Sequence, residues 1–403
     1  MIGTPKYEVM LYLNGEIIGD VRKLAQNLKW SKKRTRAGVD TIDFTINDVL
    51  LSQWCEARGT TINTILKPIA LECRVIRNNV PVVGGFLATL PAYRPNQASA
   101  NLAMRFDGFL NLLDGVYLPP TTTSYRGKMN DLIVQWIKEA DQKAESYGKA
   151  YGFTAGTILD MPTVVQSFQN YTSVKHVIVN RCDNISGAGP FDVYFHPDKT
   201  YDIYPDDDFG DTIDDYIIYY PARLNNTSAV NISASEVSGF ASAILGVGAG
   251  EISEDGQSQI EAPTSFVVNQ DAVREYGYFE SVYLWSGTTV QETLDRYANA
   301  KLATTSSGVW QPKVELIGSE IQPTPNGDIK IWVGDRVTIK NSEDLTGMTS
   351  GQFRVNGLDV SVSASNAETV IPTFAKGDSS PSLTFAQEIA DIKSELLALK
   401  TAH

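Results

Sequence analysis

The dipeptide Asn14-Gly15, set directly after the apolar run Tyr7–Leu13, commits the start of this 403-residue chain to a β-hairpin. A two-residue loop between strands needs positive φ at both positions, and Asn-Gly supplies it at the least steric cost. Ile17 and Ile18 continue on the far side. The run Thr41–Ile46 alternates polar and apolar residues, so Ile42, Phe44 and Ile46 face one way. Asn47 or Asp48 then caps a short helix that passes Trp54 and Arg58 and stops at Gly59. Leu71–Ile76, the turn Asn78-Asn79 and Val80–Leu87 make a second hairpin, in which Gly84-Gly85 marks a bulge or sharp bend. Ala100–Phe106 closes the set. Several short strands with one small helix predict a small barrel or sandwich over residues 1–118, with Pro119, Pro120 and the threonines at 121–123 as its exit.

Residues 119–230 mix the two periodicities. Met129, Leu132, Ile133, Trp136 and Ile137 recur at helical spacing and predict an amphipathic helix to about Tyr147. A second helix is expected over Thr163–Ser173, with Pro162 at its start. Strands are expected at Val174–Val179, Phe191–Phe195, Thr200–Tyr204 and Tyr216–Tyr220. From residue 231 to 376 a helical segment leads to a second small barrel-like unit. Its helix is Thr289–Ala303, carrying Val290, Leu294, Tyr297, Ala298 and Leu302 at 3-4 spacing. Its strands are Val314–Ile317, Asp335–Lys340, Phe353–Val362 and Glu368–Phe374, and residues 377–403 form a linker and a terminal helix. The fold class is therefore α+β and β-rich, with two small β-barrel-like domains around an α+β middle domain and a short C-terminal amphipathic or coiled-coil helix.

That helix holds the strongest local pattern. Phe385, Ile389, Ile392, Leu396 and Leu399 fall at 4-3-4-3 spacing, a heptad seam. Glu388 and Glu395 take g positions, while Lys393 and Lys400 take e positions. Each g to following-e pair is opposite in sign, as a parallel homomeric coiled coil uses across chains. Two heptads are marginal alone, since isolated helices below ~12–15 residues are barely stable in water. Neighbouring domains must hold the copies together. The same stripe also suits a helix folded back on its own barrel, and both readings stay open.

Chemistry finds little support. A formal charge of −13 leaves no electrostatic footprint for specific nucleic-acid binding. Gly246-x-Gly-x-Gly250 resembles a phosphate cradle, but Ser253 stands where a dinucleotide fingerprint needs glycine, so a flexible or tightly turning loop is expected. The seven aspartates between Asp202 and Asp215 lack the calcium-loop order, because Asp211 and Ile217 occupy the glycine and glutamate positions. A solvated hairpin tip is expected there. The histidines His176, His196 and His403 are too scattered for a zinc site or triad, and His196 before Pro197 reads as a turn residue. Cys55, Cys73 and Cys182 form no CxxC pair and read as small buried hydrophobes. No cofactor and no metal is expected, and no transmembrane segment or basic secretory leader is read. Folding in the cytoplasm where the chain is made is therefore expected, with any role outside reached by assembly.

A family resemblance enters on several segments. They are Gly248-Ala-Gly250, Arg274-Glu-Tyr-Gly277-Tyr-Phe-Glu280, Thr293-Leu-Asp-Arg-Tyr-Ala298 running to Lys301-Leu302-Ala303, Val333-Gly-Asp-Arg-Val337 and Phe353-Arg-Val355. With the order of the units, they resemble the hub proteins of bacteriophage tails and related injection machines, over residues 1 to about 375. The resemblance implies a homotrimer in the virion tail tip or baseplate. Two barrel-like domains per copy would present six quasi-equivalent faces to a tail tube or distal tail ring above, and narrow to a threefold tip or fibre protein below. It implies a structural role without catalytic residues, the family's cell-wall hydrolases being additional C-terminal domains, none of which is read before His403. The heptad tail departs from the family and leaves open whether it seeds a fibre or anchors a separate tip protein. An acidic lumen would let DNA pass without adhering.

Two other classes remain. A receptor- or carbohydrate-binding tail protein would show exposed aromatics in a groove, at Tyr216, Tyr219 and Tyr220 or at Trp310 and Trp332. A cell-wall hydrolase would show two carboxylates facing a cleft, which only coordinates reveal.

Overall fold

A computed structural model of the protein describes residues 5–91, 100–119, 125–166, 171–182, 190–220, 229–236, 240–248, 251–252, 259–260, 262–285, 291–306, 310–317, 331–341 and 351–376. The heptad residues from Phe385 to Leu399, with Glu388, Lys393, Glu395 and Lys400, lie outside the described residues.

The chain opens with β1 (Tyr7–Leu13), β2 (Glu16–Asp20), β3 (Gln26–Lys33), β4 (Thr41–Asn47), β5 (Leu71–Arg77), β6 (Val80–Leu87) and β7 (Asn101–Gly108). Asn14 and Gly15 take φ of 54° and 87°, and Asn78 and Asn79 take 50° and 67°, so both hairpins turn as their sequences require. Between β4 and β5 lie α1 (Asp48–Glu56) and the single turn α2 (Ile62–Ile65). The Asn47 side chain accepts from the N–H groups of Val49 and Leu50 and starts α1, and Gly59 at φ 69° follows its end. β3 was not anticipated. Its run of Gln, Asn and Lys hides an alternation in which Leu28, Trp30 and Lys32 are all buried.

The glycine pair marks close approach rather than a bulge. The register shift in this hairpin falls earlier in β6, opposite Val75 and Ile76. A Cβ on Gly85 would sit 2.5 Å from the Asp107 carbonyl oxygen, and one on Gly84 would sit 2.7 Å from that of Pro197.

The middle segment runs β8 (Tyr117–Leu118), β9 (Tyr125–Lys128), α3 (Met129–Ser146), β10 (Thr154–Ile158), β11 (Thr163–Gln166), β12 (Thr172–Ser173), α4 (Val174–Arg181), β13 (Phe191–Phe195) and β14 (Thr200–Pro205). α3 buries Met129, Leu132, Ile133, Trp136, Ile137 and Ala140, the stripe its spacing predicts. Two expectations are reversed. Thr163–Gln166 is a strand paired with β9, because Thr-Val-Val suits a pleated half-buried surface better than a helix. Val174–Arg181 is a helix: the Ser173 hydroxyl caps it at the His176 N–H, and Val174, Val177 and Ile178 share its buried face.

The remainder comprises β15 (Thr212–Tyr220), β16 (Ala229–Glu236), β17 (Ala243–Val247), β18 (Glu251–Ile252), β19 (Gln259–Ile260), β20 (Thr264–Val268), α5 (Gln270–Tyr276), β21 (Glu280–Leu284), α6 (Gln291–Thr305), β22 (Trp310–Ile317), β23 (Arg336–Asn341), β24 (Gly351–Val362) and β25 (Glu368–Lys376). Gly246 lies inside β17 instead of a loop, paired with Ser265 and Tyr283, and a Cβ there would come 2.7 Å from the Trp285 ring.

The expected pair of barrels takes another form. The described strands close no barrel, and thirteen of them join one sheet, ordered β16-β22-β25-β24-β3-β4-β7-β6-β5-β1-β2 with β23 and β15 branching from β24. β24 makes the join. Its first residues pair with β23 (Gly351 to Ile339, Arg354 to Arg336), and its last pair with β3 on the same edge (Gly357 to Lys33, Val362 to Leu28). β25 covers the other edge from Phe353 to Val362. The strands β1–β7 pair only antiparallel, whereas β15 runs parallel to β23, so the two ends of the chain are not copies in connectivity. One buried cluster accordingly runs from Tyr7 to Phe374, a second holds α3, α4, β13 and β14, and a small third lies under α6.

A Gly85→Ala substitution forces β6 away from β7 and is expected to cost about 1–3 kcal/mol. Urea unfolding of the full chain measures it, and an unchanged midpoint would contradict the close approach.

Candidate functional site

The residues that hold this architecture together are charged. Arg34 follows β3, Asp192 lies in β13, Asp206 opens a short 3₁₀ turn after β14, and Arg354 lies in β24 where that strand passes from β23 to β3. All four are buried. The Arg34 guanidinium donates to Asp192 Oδ2 at 2.5 and 3.1 Å and to Asp206 Oδ1. Arg354 Nη1 lies 2.7 Å from Asp206 Oδ2, and the same guanidinium donates to the carbonyls of Gly334, Phe209 and Asp206. Arg34 also reaches Asn356 Oδ1 at 3.3 Å. Two cations and two anions cancel, which is the condition for keeping charge out of water. The acidic run is therefore not a solvated tip throughout, since Asp202 and Asp206 are both buried.

Neighbouring contacts extend the joint. Lys32 is buried with its ammonium on Asp40 at 2.7 Å, on the Phe195 carbonyl at 2.6 Å and over the Tyr194 ring at 4.1 Å. Burial works to lower its pKa, but Asp40 beside it holds the ammonium above its ordinary value. The Thr35 hydroxyl donates to the Val193 carbonyl and accepts from its N–H. His196 is a turn residue as expected, and its Nε2 lies 2.6 Å from Asp202 Oδ2. Burial works to raise Asp202, yet the His196 contact and the Thr157 N–H keep its carboxyl below the usual range. At the far end of the sheet, Arg77 clamps Glu368 at 2.7 and 2.9 Å and Tyr7 donates to the same carboxylate, tying β1 and β5 to β25. Burial first, and Glu368 second, push the Tyr7 phenol well up.

The segment Val333–Val337 has a physical reading at each position. Gly334 takes φ of 102° and sits against Gly210 and the Phe209 ring, where a Cβ would come 2.7 Å from that ring. Asp335 accepts from the N–H of Trp332 at 2.6 Å and of Asp211 at 3.0 Å, fastening the start of β23 to the start of β15. Burial lifts its carboxyl to about 6, more than those two N–H groups lower it.

This arrangement holds chain segments together and has no room for a substrate. The cavity beside it, lined by Lys32, Thr35, Asp40, Phe109 and Phe195, measures about 20 Å³, the space of a single water. Trp332 does not line a groove. Its indole packs on Trp30 with ring centroids 6.4 Å apart, and its N–H donates to the Tyr194 hydroxyl at 3.1 Å. The side chains of Tyr216, Tyr219, Tyr220 and Trp310 lie outside the described residues. The three cysteines are buried, as expected. Among the described residues no group of three metal-ligating side chains gathers, and no helix is long and apolar enough to cross a membrane.

Asp206→Asn leaves both arginines short of charge in a buried site and is expected to cost roughly 3–5 kcal/mol in unfolding free energy. Asp335 gives a pH signature. Its native carboxyl keeps a proton to about pH 6, while in the unfolded chain it releases one near its ordinary 3.8. Between those values the native state binds more protons, so this group's contribution to stability falls as pH rises. Compared with Asp335→Asn across pH 4–7, the wild-type chain is expected to lose up to roughly 3 kcal/mol over that window. Parallel urea profiles for the two proteins would refute the assignment.

Solved structures share this fold. The tail protein from Neisseria meningitidis MC58 superposes with a TM-score of 0.61 at 10% identity, over 93% of this chain and 98% of its own. The 43 kDa tail protein of prophage MuSo2 from Shewanella oneidensis gives 0.61 at 9% identity, over 93% and 99%. A chain of the Francisella PdpA-VgrG complex gives 0.50 at 10% identity, over 94% of this chain and 53% of its own. No protein-family model matches the sequence, and no curated protein matches it either. The chain shares the fold of these two tail proteins.

Proposed function

We propose that this chain is a structural hub of a phage tail, standing at the tip of the tail within the virion. The observation that carries the reading is the fold shared with two tail proteins over nearly their whole lengths. Three copies form the hub. The strands from the two ends of each chain, joined in one sheet through β24, face a sixfold tail tube or distal tail ring, and the remainder narrows to a threefold tip or fibre protein. The chain acts by shape and contact rather than by catalysis, and a lumen bearing its surplus acidic residues repels DNA and lets it slide through. Copies fold in the host cytoplasm and reach the virion by assembly. The heptad at 385–399 winds the three C-termini into a short coiled coil once the domains above have brought them together.

Light scattering coupled to size exclusion is expected to return three times the 44.2 kDa chain mass. Deleting residues 382–403 is expected to leave a trimer that dissociates at a higher concentration. Imaging of the intact particle is expected to show threefold density below a sixfold ring. A single copy in the tail tip would end the proposal.

A further inference from the structure

The parallel pair of β15 and β23 is two ladders rather than one. Thr212 and Ile213 stand opposite Arg336 and Val337, but Thr338, the next residue of β23, stands opposite Ile217. Residues 214–216 therefore fall outside the β23 register, and they set the short first ladder apart from the longer one that runs from Ile217 to Tyr220.

Asp335 stands at the head of the short ladder. Its backbone is tied to β24, where its carbonyl accepts from the Val355 N–H at 2.8 Å. Its side chain crosses to the other segment and accepts from the Asp211 N–H at 3.0 Å, while also holding that of Trp332 at 2.6 Å. The Arg336 N–H donates back to the Asp211 carbonyl at 2.8 Å. Beside them the backbone of Gly210 lies directly on that of Gly334, because a Cβ on Gly210 would overlap the Gly334 carbonyl.

Charge counting sets this carboxyl apart. Arg34 and Arg354 are matched by Asp192 and Asp206, so an ionised Asp335 adds a fifth charge to a joint whose four already cancel. The charged groups on the elements around it are Asp208 and Asp211 before β15, Asp214 between the two ladders, Arg354 and Asp206 of the quartet, and Arg336 at the start of β23. Burial opposes its ionisation most strongly. The N–H groups of Asp211 and Trp332 favour it, the Asp211 carboxylate opposes it and Arg354 favours it.

We propose that Asp335 is a proton-operated catch: with its proton on it fastens the start of β15 to β23, and with the proton gone residues 211–216 lift from β23 while the ladder from Ile217 onward stays paired. Opening hydrates the new carboxylate and takes Asp211 away from it, so one short segment moves and the sheet stays folded. The device stands apart from the hub reading, since its ligand is a proton and not a neighbouring protein. The closed form holds the proton to about pH 6 and the open form releases it near the ordinary 3.8, so the closed form binds more protons in between. Opening becomes easier as pH rises, by roughly tenfold from pH 5 to pH 7.5.

The test is hydrogen exchange of the full-length protein at pH 5 and pH 7.5, corrected for the pH dependence of exchange itself and read by mass spectrometry. Peptides over 208–216 report the catch, and peptides over 217–220 and 338–341 serve as the internal reference. The expected result is a roughly tenfold loss of protection over 208–216 at pH 7.5 with the reference unchanged, and no pH dependence in either set for Asp335→Asn. Equal protection at the two pH values in the wild type overturns the catch, whether or not the variant folds. A loss shared by both sets overturns it by showing that the whole sheet opens. A loss as steep in the variant as in the wild type overturns it by assigning the proton to another group.

Discussion

Two arginines and two aspartates taken out of water together set the terms for the rest of the molecule. Each ion alone would cost several kcal/mol to bury, so none can sit in its place until the others arrive. They come from residues 34, 192, 206 and 354, and the quartet therefore closes only when both ends of the chain and its middle are correctly docked. An apolar cluster would tolerate small sliding errors. A guanidinium shared between two carboxylates does not, because its donors point in fixed directions.

Much of the local structure was legible, and the reasons are local. Asn14-Gly15 and Asn78-Asn79 specify their turns without help from distant residues, as do the Asn47 cap and the stripe on α3. The failures occur where tertiary contact decides. Thr163–Gln166 and Val174–Arg181 were exchanged as helix and strand because both are short and rich in valine, and pairing with β9 or capping by Ser173 settles each. β3 hides from a periodicity reading because Lys32, a residue that normally marks the wet face, shares the buried face with Leu28 and Trp30.

The charged quartet leaves a trace in the sequence. Asp192 sits in Phe-Asp-Val-Tyr-Phe and Arg354 in Phe-Arg-Val, each a lone charge inside an apolar strand. Such a residue is buried only with an opposite partner, so the pair implied long-range contact without naming it. Asp206 was masked by its own neighbours, six further aspartates that suggest a wet loop. Two of the segments that suggest a phage tail hub have a local structural reading. Gly277 at φ 97° ends α5, and Gly334 and Asp335 fit one crowded turn.

The handover on β24 also bears on synthesis. The edge of β3 that β24 will occupy emerges from the ribosome more than 300 residues ahead of its partner. At ~5–20 residues per second that edge stays open for roughly tens of seconds, with Leu28 and Trp30 beside it. An open edge invites pairing with another chain. Lys29, Lys32 and Lys33 along it give the nascent strand a positive charge that keeps like edges apart until residue 357 arrives. The lysines that hid this strand from a periodicity reading thus act as its guard before folding is complete.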